Sequence, residues 1–437
     1  MLHKSMSMNF SLKLPDNKAF STLHFRTNAY QCKPLTISKD KNVTLKVKHF
    51  FLLKELQSKC VVLGVEIYVY LTFQDSSLTR HIFVLKADTT GLSSVRFSAA
   101  EVVLEFVDYL VKVNPEIYYE HASFWSKDES KEKSQSSVDS HPAESEYAIV
   151  NDLLQLGERV KNEPGFLRNL SFYLSRESRR GNSKEFPLQR PTLLTTKISL
   201  FTRAADAYIF PESAKNTGKH VASGNLLFRW WIALLVKITD ESWVCKADIP
   251  GSEARAVERF LPELKNWSRG NIYVSSENNS YAIRSIPLFP DDPKGRFLEH
   301  LIVENRYKGM NTTRYWEELG FRQEFRLGNV VGIIGCNNQQ REIGGIVEDT
   351  STMMTTRKQY KALHELVKGE DYSKKEDIQG MCETGILELC SRLGLNLIDK
   401  TVTGSCVAPV KRLHLAQQTD QPRQITNLTG LVKRKKK

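Results

Sequence analysis

Two apolar runs early in the chain predict a β-hairpin. Residues 61–73 (VVLGVEIYVYLTF) are rich in β-branched and aromatic side chains, which is typical of a long, largely buried strand. A polar turn at Asp75, Ser76 and Ser77 follows, and a second strand is predicted at residues 81–86. Because only this turn separates the two runs, we expect the strands to pair with each other.

The spacing of apolar residues becomes helical after Gly91. Ser98 and Glu101 match a capping box, in which Ser98 caps the helix and the Glu101 side chain reaches back to the cap. The following residues place apolar side chains on one helical face: Val102, Val103, Phe106, Leu110 and Val113. We therefore expect an amphipathic helix directly after the hairpin.

Later segments predict further elements of both kinds. A strand is predicted at residues 195–201. Helical periodicity is present in four segments: 150–156, 225–238, 357–368 and 375–393. The second of these contains Trp230 and Trp231, which point about 100° apart around a helix and so cannot face one pocket equally.

Residues 127–146 differ from the rest in composition. They contain no aromatic and one branched apolar side chain, so they cannot bury enough surface to offset the cost of ordering. We interpret this segment as a disordered surface loop, and its serine content also suits phosphorylation. The last five residues, 433–437, are all basic, which indicates a solvated tail, a nuclear-localisation signal or an arm for acidic partners.

Composition and charge narrow the class of protein. The chain has 437 residues, 41% of them hydrophobic, which is enough for one large α/β domain with insertions or for two or three smaller domains. The net charge of +12 favours acidic partners, although many enzymes carry such charge on a solvated face. Seven scattered cysteines without a CxxC pair, and the lack of a signal-peptide core or membrane-length apolar run, favour a soluble intracellular protein.

Several catalytic motifs are absent from the sequence. It contains no GxxxxGK[ST], HExxH or GxSxG motif, and its ten histidines show no metal-ligand spacing. Nucleotide hydrolysis, zinc peptidase activity and serine hydrolysis are therefore not expected, and neither is a metal cofactor.

Three segments could carry chemistry, and each also has a purely structural interpretation. Residues 86–91 (KADTTG), with Arg96 and the capped helix behind them, could bind a phosphate at the helix N-terminus. Residues 200–220 combine aromatic and cationic side chains that suit a nucleotide-like ligand, but the aromatic residues could equally be core. Residues 286–294 hold Asp291 and Asp292 between prolines.

The two aspartates permit two interpretations. Neighbouring buried carboxylates titrate as a coupled pair, and the raised pKa suits one of them to take a proton from a lysine ammonium. The structural alternative is a polar turn in which Asp292 caps the helix that begins near Lys294. From the local residues alone the capping interpretation is favoured, and the two are compatible.

In this order and spacing the segments resemble the fungal histone H3 acetyltransferases of the regulator-of-Ty-transposition family. The resemblance is carried by residues 86–91, residues 200–220 (LFTRAADAYIFPESAKNTGKH), the Trp230–Trp231 pair and residues 286–297 (IPLFPDDPKGRF). Weaker similarity extends over residues 47–372.

The resemblance implies an α/β fold with a central mixed β-sheet flanked by helices, as in CBP-type histone acetyltransferases. The acetyltransferase domain would span 1–412, with 127–146 as an insertion loop, and 413–437 would form a basic flexible tail. Gly295 stands where the family has alanine.

The resemblance also implies roles for individual residues. Asp292 takes the family's general acid/base position with Asp291 beside it, Trp231 and Tyr208 line the substrate-lysine channel, and Lys294 matches a lysine that the family acetylates on itself. Contacts with acetyl-CoA are implied for Ala87, Asp88, Thr89, Arg96, Phe97, Ser98, Ala99, Ala100, Phe201, Arg203, Ala205, His220, Val221, Ala222 and Trp230.

The function implied is direct transfer of acetyl from acetyl-CoA to lysines of histone H3, with H4, in the nucleus. Histone chaperones of the anti-silencing-function and NAP types would present the substrate, and neither membrane association nor sequence-specific nucleic-acid binding is expected. The competing hypothesis is a non-catalytic basic scaffold that binds histone–chaperone complexes or nucleic acid. A pseudoenzyme would be expected to lose Asp88, Asp292 or Trp230, and all three are present.

Overall fold

The structure is a computed structural model, and it describes residues 8–36, 42–119, 122–124, 190–274, 281–322, 325, 330–338 and 341–406. The loop expected at 127–146, the helical segment expected at 150–156 and the C-terminal tail expected at 413–437 lie outside the described residues. Within these ranges, no helix has the length and apolar character needed to cross a membrane.

The strands of the described ranges form one mixed sheet. In chain order they are β1 (Ala19–Thr27), β2 (Tyr30–Cys32), β3 (Val43–Glu55), β4 (Cys60–Gln74), β5 (Ser77–Thr89), β6 (Leu193–Arg203), β7 (Trp243–Asp248), β8 (Trp267–Arg269), β9 (Val331–Asn338), β10 (Arg341–Glu342), β11 (Thr352–Thr355) and β12 (Lys400–Thr403). The main path runs β11-β1-β3-β4-β5-β6-β9-β7-β8, with β12 on β1, β2 on β3 and β10 on β6. Parallel pairing of β5 with β6 places their carboxyl ends at the same edge.

The helices lie on both faces of the sheet. They are α1 (Ala99–Lys112), α2 (Glu116–Tyr119), α3 (Gly224–Val236), α4 (Ala254–Glu258), α5 (Ala282–Ser285), α6 (Pro293–Val303), α7 (Thr312–Leu319), α8 (Arg357–Gly369), α9 (Lys375–Gly380) and α10 (Ile386–Arg392). On one face, α1 and α3 pack on the largest hydrophobic cluster. On the other face, α5 to α7 cover one cluster and α8 to α10 cover another.

The central strands are buried on both faces, which explains their continuous apolar runs. Along β3, Val47 and Phe51 face the cluster under α1, whereas Phe50 and Leu52 face the cluster under α8. The expected hairpin is confirmed as β4 and β5, but β5 is longer than the predicted strand at 81–86. The first half of β5 is polar, so the apolar pattern did not predict it as a strand. Its Arg80 is nevertheless buried, because the guanidinium donates to the carbonyls of Val111 and Val113 at the end of α1.

The predicted helices that fall within the described residues are present with small changes in their bounds. The helix expected at 375–393 is interrupted, since a π-helical turn at Met381–Gly385 joins α9 to α10. Ser98 caps α1 as expected, by accepting the N–H of Glu101. The capping box itself was wrong, because the Glu101 carboxylate pairs with Lys13 and Lys237 instead of reaching back.

Candidate active site

A cavity of about 270 Å³ lies where the carboxyl ends of β5 and β6 meet α3, β9 and the start of α6. Its wall is largely apolar, with Leu200, Leu227, Trp231 and Val331 among its residues. Its charged side chains are Lys86, Arg203, Asp291 and Arg296. An apolar cavity with a few converging charged groups is the usual form of a small-molecule site.

Seven residues implied by the resemblance line this cavity. They come from four separate segments of the sequence: Ala87, Phe201, Arg203, Ala205, Tyr208, Trp231 and Asp291. The fold therefore brings together segments that are far apart in the sequence, with Ala87 and Asp291 at the two extremes. Trp231 is buried at 5% exposure, and Trp230 stands beside it with the ring planes nearly perpendicular.

Asp88 belongs to the framework beneath the cavity. Its Oδ2 accepts the N–H groups of Tyr208, Ile209 and Phe210 at 2.8, 2.9 and 3.2 Å, and its Oδ1 accepts from Thr89 N–H and from the Lys219 ammonium. Every bond is internal to the protein. The Asp88 carboxylate therefore fixes the loop after β6, and the cofactor contact implied for this residue stays a prediction.

Tyr208 occupies the cavity wall through its ring rather than through its hydroxyl. The hydroxyl donates to the Arg203 carbonyl at 2.6 Å and accepts from Ala205 N–H at 3.0 Å, which closes the turn after β6. Burial raises the pKa of Tyr208 above its usual value. The Tyr208 hydroxyl thus stabilises the turn, and the Tyr208 ring is the surface that a ligand would contact.

The two adjacent aspartates have opposite environments. Asp291 adopts a left-handed backbone conformation (φ 57°), its side chain is 52% exposed, and it lines the cavity. Its carboxylate lies 3.7 Å from Lys86 and 3.9 Å from Arg296. Asp292 is fully buried, caps α6 by accepting the N–H of Lys294, and forms an ion pair with the Lys294 ammonium. The two carboxylates therefore do not form the buried pair expected from the sequence, because Asp291 is exposed and Asp292 pairs with Lys294.

The Lys294 side chain is buried among three aromatic rings. Its Nζ is 4.8 Å from the ring centroid of Phe289, 5.7 Å from that of Tyr273 and 5.9 Å from that of Phe83. Burial lowers the pKa of Lys294 well below its usual value. The side chain is 3% exposed and has Asp292 as its ion-pair partner, so an acetyl group there would remove a buried positive charge.

The other implied residues lie outside the cavity wall. Arg96 is exposed, and Phe97, Ser98, Ala99 and Ala100 are partly buried around the start of α1. The bond between Glu101 and Lys237 brings the start of α1 to the C-terminal end of α3. Leu227, at the cavity end of α3, is separated from Lys237 by about 15 Å of helix. The start of α1 and the cavity thus lie near opposite ends of α3.

The remaining implied residues surround the start of α3. His220 and Val221 are exposed, and Ala222 is partly buried. Thr89 lies at the end of β5. None of these residues lines the cavity.

Sequence reasoning missed two cations and several apolar wall residues. Lys86 opens the KADTTG segment and Arg296 stands one helical turn after Asp292, so proximity to recognised motifs was an available signal. Leu227 and Val331 gave no signal, because ordinary apolar residues on a helix and a strand become a cavity wall only through their packing.

Comparison with known proteins identifies the family. The model of the histone acetyltransferase KAT11-type domain matches residues 6–386. The chain belongs to the KAT11-type histone acetyltransferase family. Membership makes the protein a histone acetyltransferase, which implies acetyl-CoA as acetyl donor and histones as substrates. The family and activity expected from the sequence are confirmed.

One relative within the family covers most of the chain, and a second covers less than half of it. The sequence is 33% identical over 370 residues to "Histone acetyltransferase RTT109" of Candida albicans, which is 83% of this chain and 95% of the relative. It is 27% identical over 209 residues to "Histone acetyltransferase rtt109" of Schizosaccharomyces pombe, covering 43% and 54% of the two chains. The crystal structure of Rtt109 from Aspergillus fumigatus superposes with a TM-score of 0.64 at 18% identity over 92% of this chain and 99% of that one, which confirms the mixed sheet flanked by helices.

Proposed function

We propose that this protein transfers the acetyl group of acetyl-CoA to lysines of histone H3, on H3–H4 presented by histone chaperones. The observation that carries the proposal is the cavity, in which an apolar wall formed by Phe201 and Trp231 faces the exposed carboxylate of Asp291. The thioester end of acetyl-CoA and the aliphatic chain of a lysine both require such a wall, and the lysine ammonium requires a proton acceptor.

The cofactor would extend from the cavity toward the start of α1. Arg203, on the cavity wall, and Arg96, at the far end, are exposed cations that can pair with its phosphates. The N-terminus of α1 adds the partial positive charge of the helix dipole. The separation of about 15 Å along α3 suits the extended shape of the cofactor.

Acetyl transfer needs a neutral amine next to the thioester carbonyl. In the proposed reaction Asp291 accepts one proton of the acceptor ammonium, and the amine nitrogen bonds to the carbonyl carbon. The C–S bond then breaks, and the departing CoA thiolate takes the second proton from the nitrogen and leaves as the thiol, which gives a neutral amide. Lys86 and Arg296 hold the Asp291 carboxylate at the cavity edge. The base expected from the sequence is Asp292, whose carboxylate accepts the Lys294 N–H and pairs with the Lys294 ammonium; we propose Asp291 instead because it lines the cavity.

The acceptor lysine would enter between the Tyr208 and Trp231 rings. Holding amine and thioester in one geometry supplies much of the rate enhancement of such reactions. In this proposal the partners are chaperones of the anti-silencing-function and NAP types, since acidic partners suit the net charge of +12, and the protein would act on chromatin in the nucleus.

The test combines binding and turnover. Isothermal titration should show acetyl-CoA binding, and incubation with H3–H4, with and without chaperone, should transfer acetyl to H3. Arg203→Met should weaken acetyl-CoA binding, whereas the control Arg255→Met, at an exposed position on α4, should not. Absence of both binding and transfer would favour the non-catalytic scaffold.

A further inference from the structure

Four lysines lie together on the face of the sheet that α8 covers. Lys46 and Lys48 are on β3, Lys86 is on β5 and Lys368 is at the end of α8; we call these four the lysine strip. Pairing of Lys46 with Tyr70 and of Lys48 with Tyr68 places them on one side of β3. The strip thus crosses β3, β4 and β5 on the side opposite to α1.

The first two lysines have aromatic neighbours but no carboxylate. Lys46 is 7% exposed, and its Nζ lies 4.3 Å from the Tyr68 ring centroid and 5.2 Å from that of Tyr70. Lys48 Nζ lies 5.5 Å from the Tyr68 centroid and 5.6 Å from that of Tyr360. Among the described residues, no carboxylate forms an ion pair with either ammonium. Burial, and then the charge of Lys48, lower the pKa of Lys46 to about 7.

The buried carboxylate within the strip is already committed. Glu66 accepts from the Tyr68 hydroxyl at 2.8 Å and lies 3.2 Å from His364 Nε2. Although burial opposes ionisation, His364 and the neighbouring lysines lower the pKa of Glu66 to about 2. Because the Glu66 carboxylate already has two close partners, it does not neutralise the lysines around it, and the strip keeps an excess of positive charge.

Beside the lysine strip, the Tyr360 hydroxyl is a buried hydrogen-bond donor. The Tyr360 hydroxyl, on α8 above Lys48, has no hydrogen-bond partner among the described residues although it is buried. A buried hydroxyl without a bond costs free energy, and a ligand oxygen would satisfy it.

The strip is continuous with the cavity. Lys86 lines the cavity and lies 3.7 Å from Asp291. Lys368 lies against Lys86, and burial followed by that charge lowers the pKa of Lys368. A polypeptide whose lysine occupied the cavity would therefore have its neighbouring residues beside the strip.

We propose that the lysine strip binds an acidic side chain of the acceptor polypeptide, close in sequence to the lysine that is acetylated. This specificity element rests on the proposed function, because it places the acceptor lysine in the cavity. A carboxylate there would pair with the ammonium groups of Lys46 and Lys48, which have no ion-pair partner among the described residues, and such charge-assisted bonds are strong in a partly buried setting.

The test uses two matched peptides that each contain one lysine, flanked by glutamates in one and by glutamines in the other. Binding to the full-length protein, measured by fluorescence polarisation, should be about tenfold tighter for the glutamate peptide. Lys48→Met and Lys368→Met should each remove most of this preference. Lys358→Met, at an exposed position of α8, should keep it.

Further measurements distinguish binding of an acidic side chain at the lysine strip from binding of cofactor phosphates or of a nucleic acid. Thermal melting should show that Lys48→Met and Lys368→Met stay folded, because methionine fills a similar volume without a buried charge. Acetyl-CoA affinity should not change in either variant. A loss of acetyl-CoA affinity together with the peptide preference would assign the strip to cofactor phosphates and overturn the proposal. An undiminished glutamate preference in the variants would also overturn it. A loss of duplex DNA binding without loss of the peptide preference would overturn it in favour of a nucleic acid. Acetyl transfer by the unmodified protein to H3–H4 tests the proposed function separately.

Discussion

The Lys219 ammonium lies 2.8 Å from Oδ1 of Asp88, and each of these side chains is only 3% exposed. Lys219 also donates to Ser213, within the loop that connects β6 to α3. Because the other Asp88 oxygen holds the N–H groups of residues 208–210, the pair fixes that whole loop to the end of β5. Tyr208, on the cavity wall, depends on this anchor for its position.

Replacing Lys219 should therefore damage both stability and the site. Lys219→Met leaves the Asp88 charge buried without its counter-ion, and we expect the free energy of unfolding in urea to fall by about 3 kcal/mol. The KM for acetyl-CoA should rise as the loop loosens. The matched control is Lys215→Met in the same loop, where the lysine is exposed and pairs with Glu212. Equal stability of the two variants would contradict the anchoring role.

Asp291 and Asp292 should respond differently to the same substitution. Asp291→Asn preserves the left-handed turn, which asparagine tolerates, but removes the exposed carboxylate, so kcat should fall about 100-fold with little change in melting temperature. Asp292→Asn breaks the buried ion pair with Lys294, so the melting temperature should fall clearly. Measuring kcat and the melting temperature of both variants decides which aspartate is the base. Full activity in Asp291→Asn would remove the assignment of Asp291 as base.

Local sequence signals predicted the elements near the site better than their contacts. The capped helix at Ser98, the hairpin and the helix with Trp230 and Trp231 follow from periodicity and capping residues, and all are present. The parallel pairing of β1 with β11 joins residues more than 300 positions apart, and no local pattern encodes it.

The roles of individual carboxylates were harder to predict than their presence. Asp88, Asp291 and Asp292 were all singled out by their motifs. Their functions depend on partners supplied by the fold: Lys219 for Asp88, Lys294 for Asp292, and the cavity for Asp291. Which of two adjacent aspartates is buried and which is exposed cannot be recognised from the residue types alone.

Lys294 should carry an acetyl group in the purified protein. Burial lowers its pKa, which increases the fraction of neutral, nucleophilic amine, and its neighbour Pro293 lines the cavity. Peptide mapping by mass spectrometry should find acetylation at Lys294 but not at the exposed Lys308 on the same side of the sheet. The modification should be absent in the Asp291→Asn variant, and an equal level at both lysines would indicate non-enzymatic acetylation.

Glu299 should make the protein less stable as the pH rises. Burial raises the pKa of this α6 carboxyl from 4.5 to about 7, so the folded state retains a proton that the unfolded chain releases between these pH values. Stability is then lost as pH increases through this range, by as much as about 3 kcal/mol. Glu299→Gln should remove this loss and be more stable than the unmodified protein at about pH 8, in urea unfolding followed by fluorescence. Glu317→Gln, at an exposed position on α7, should keep the original pH dependence; the same flattening in both variants would show that Glu299 is not its source.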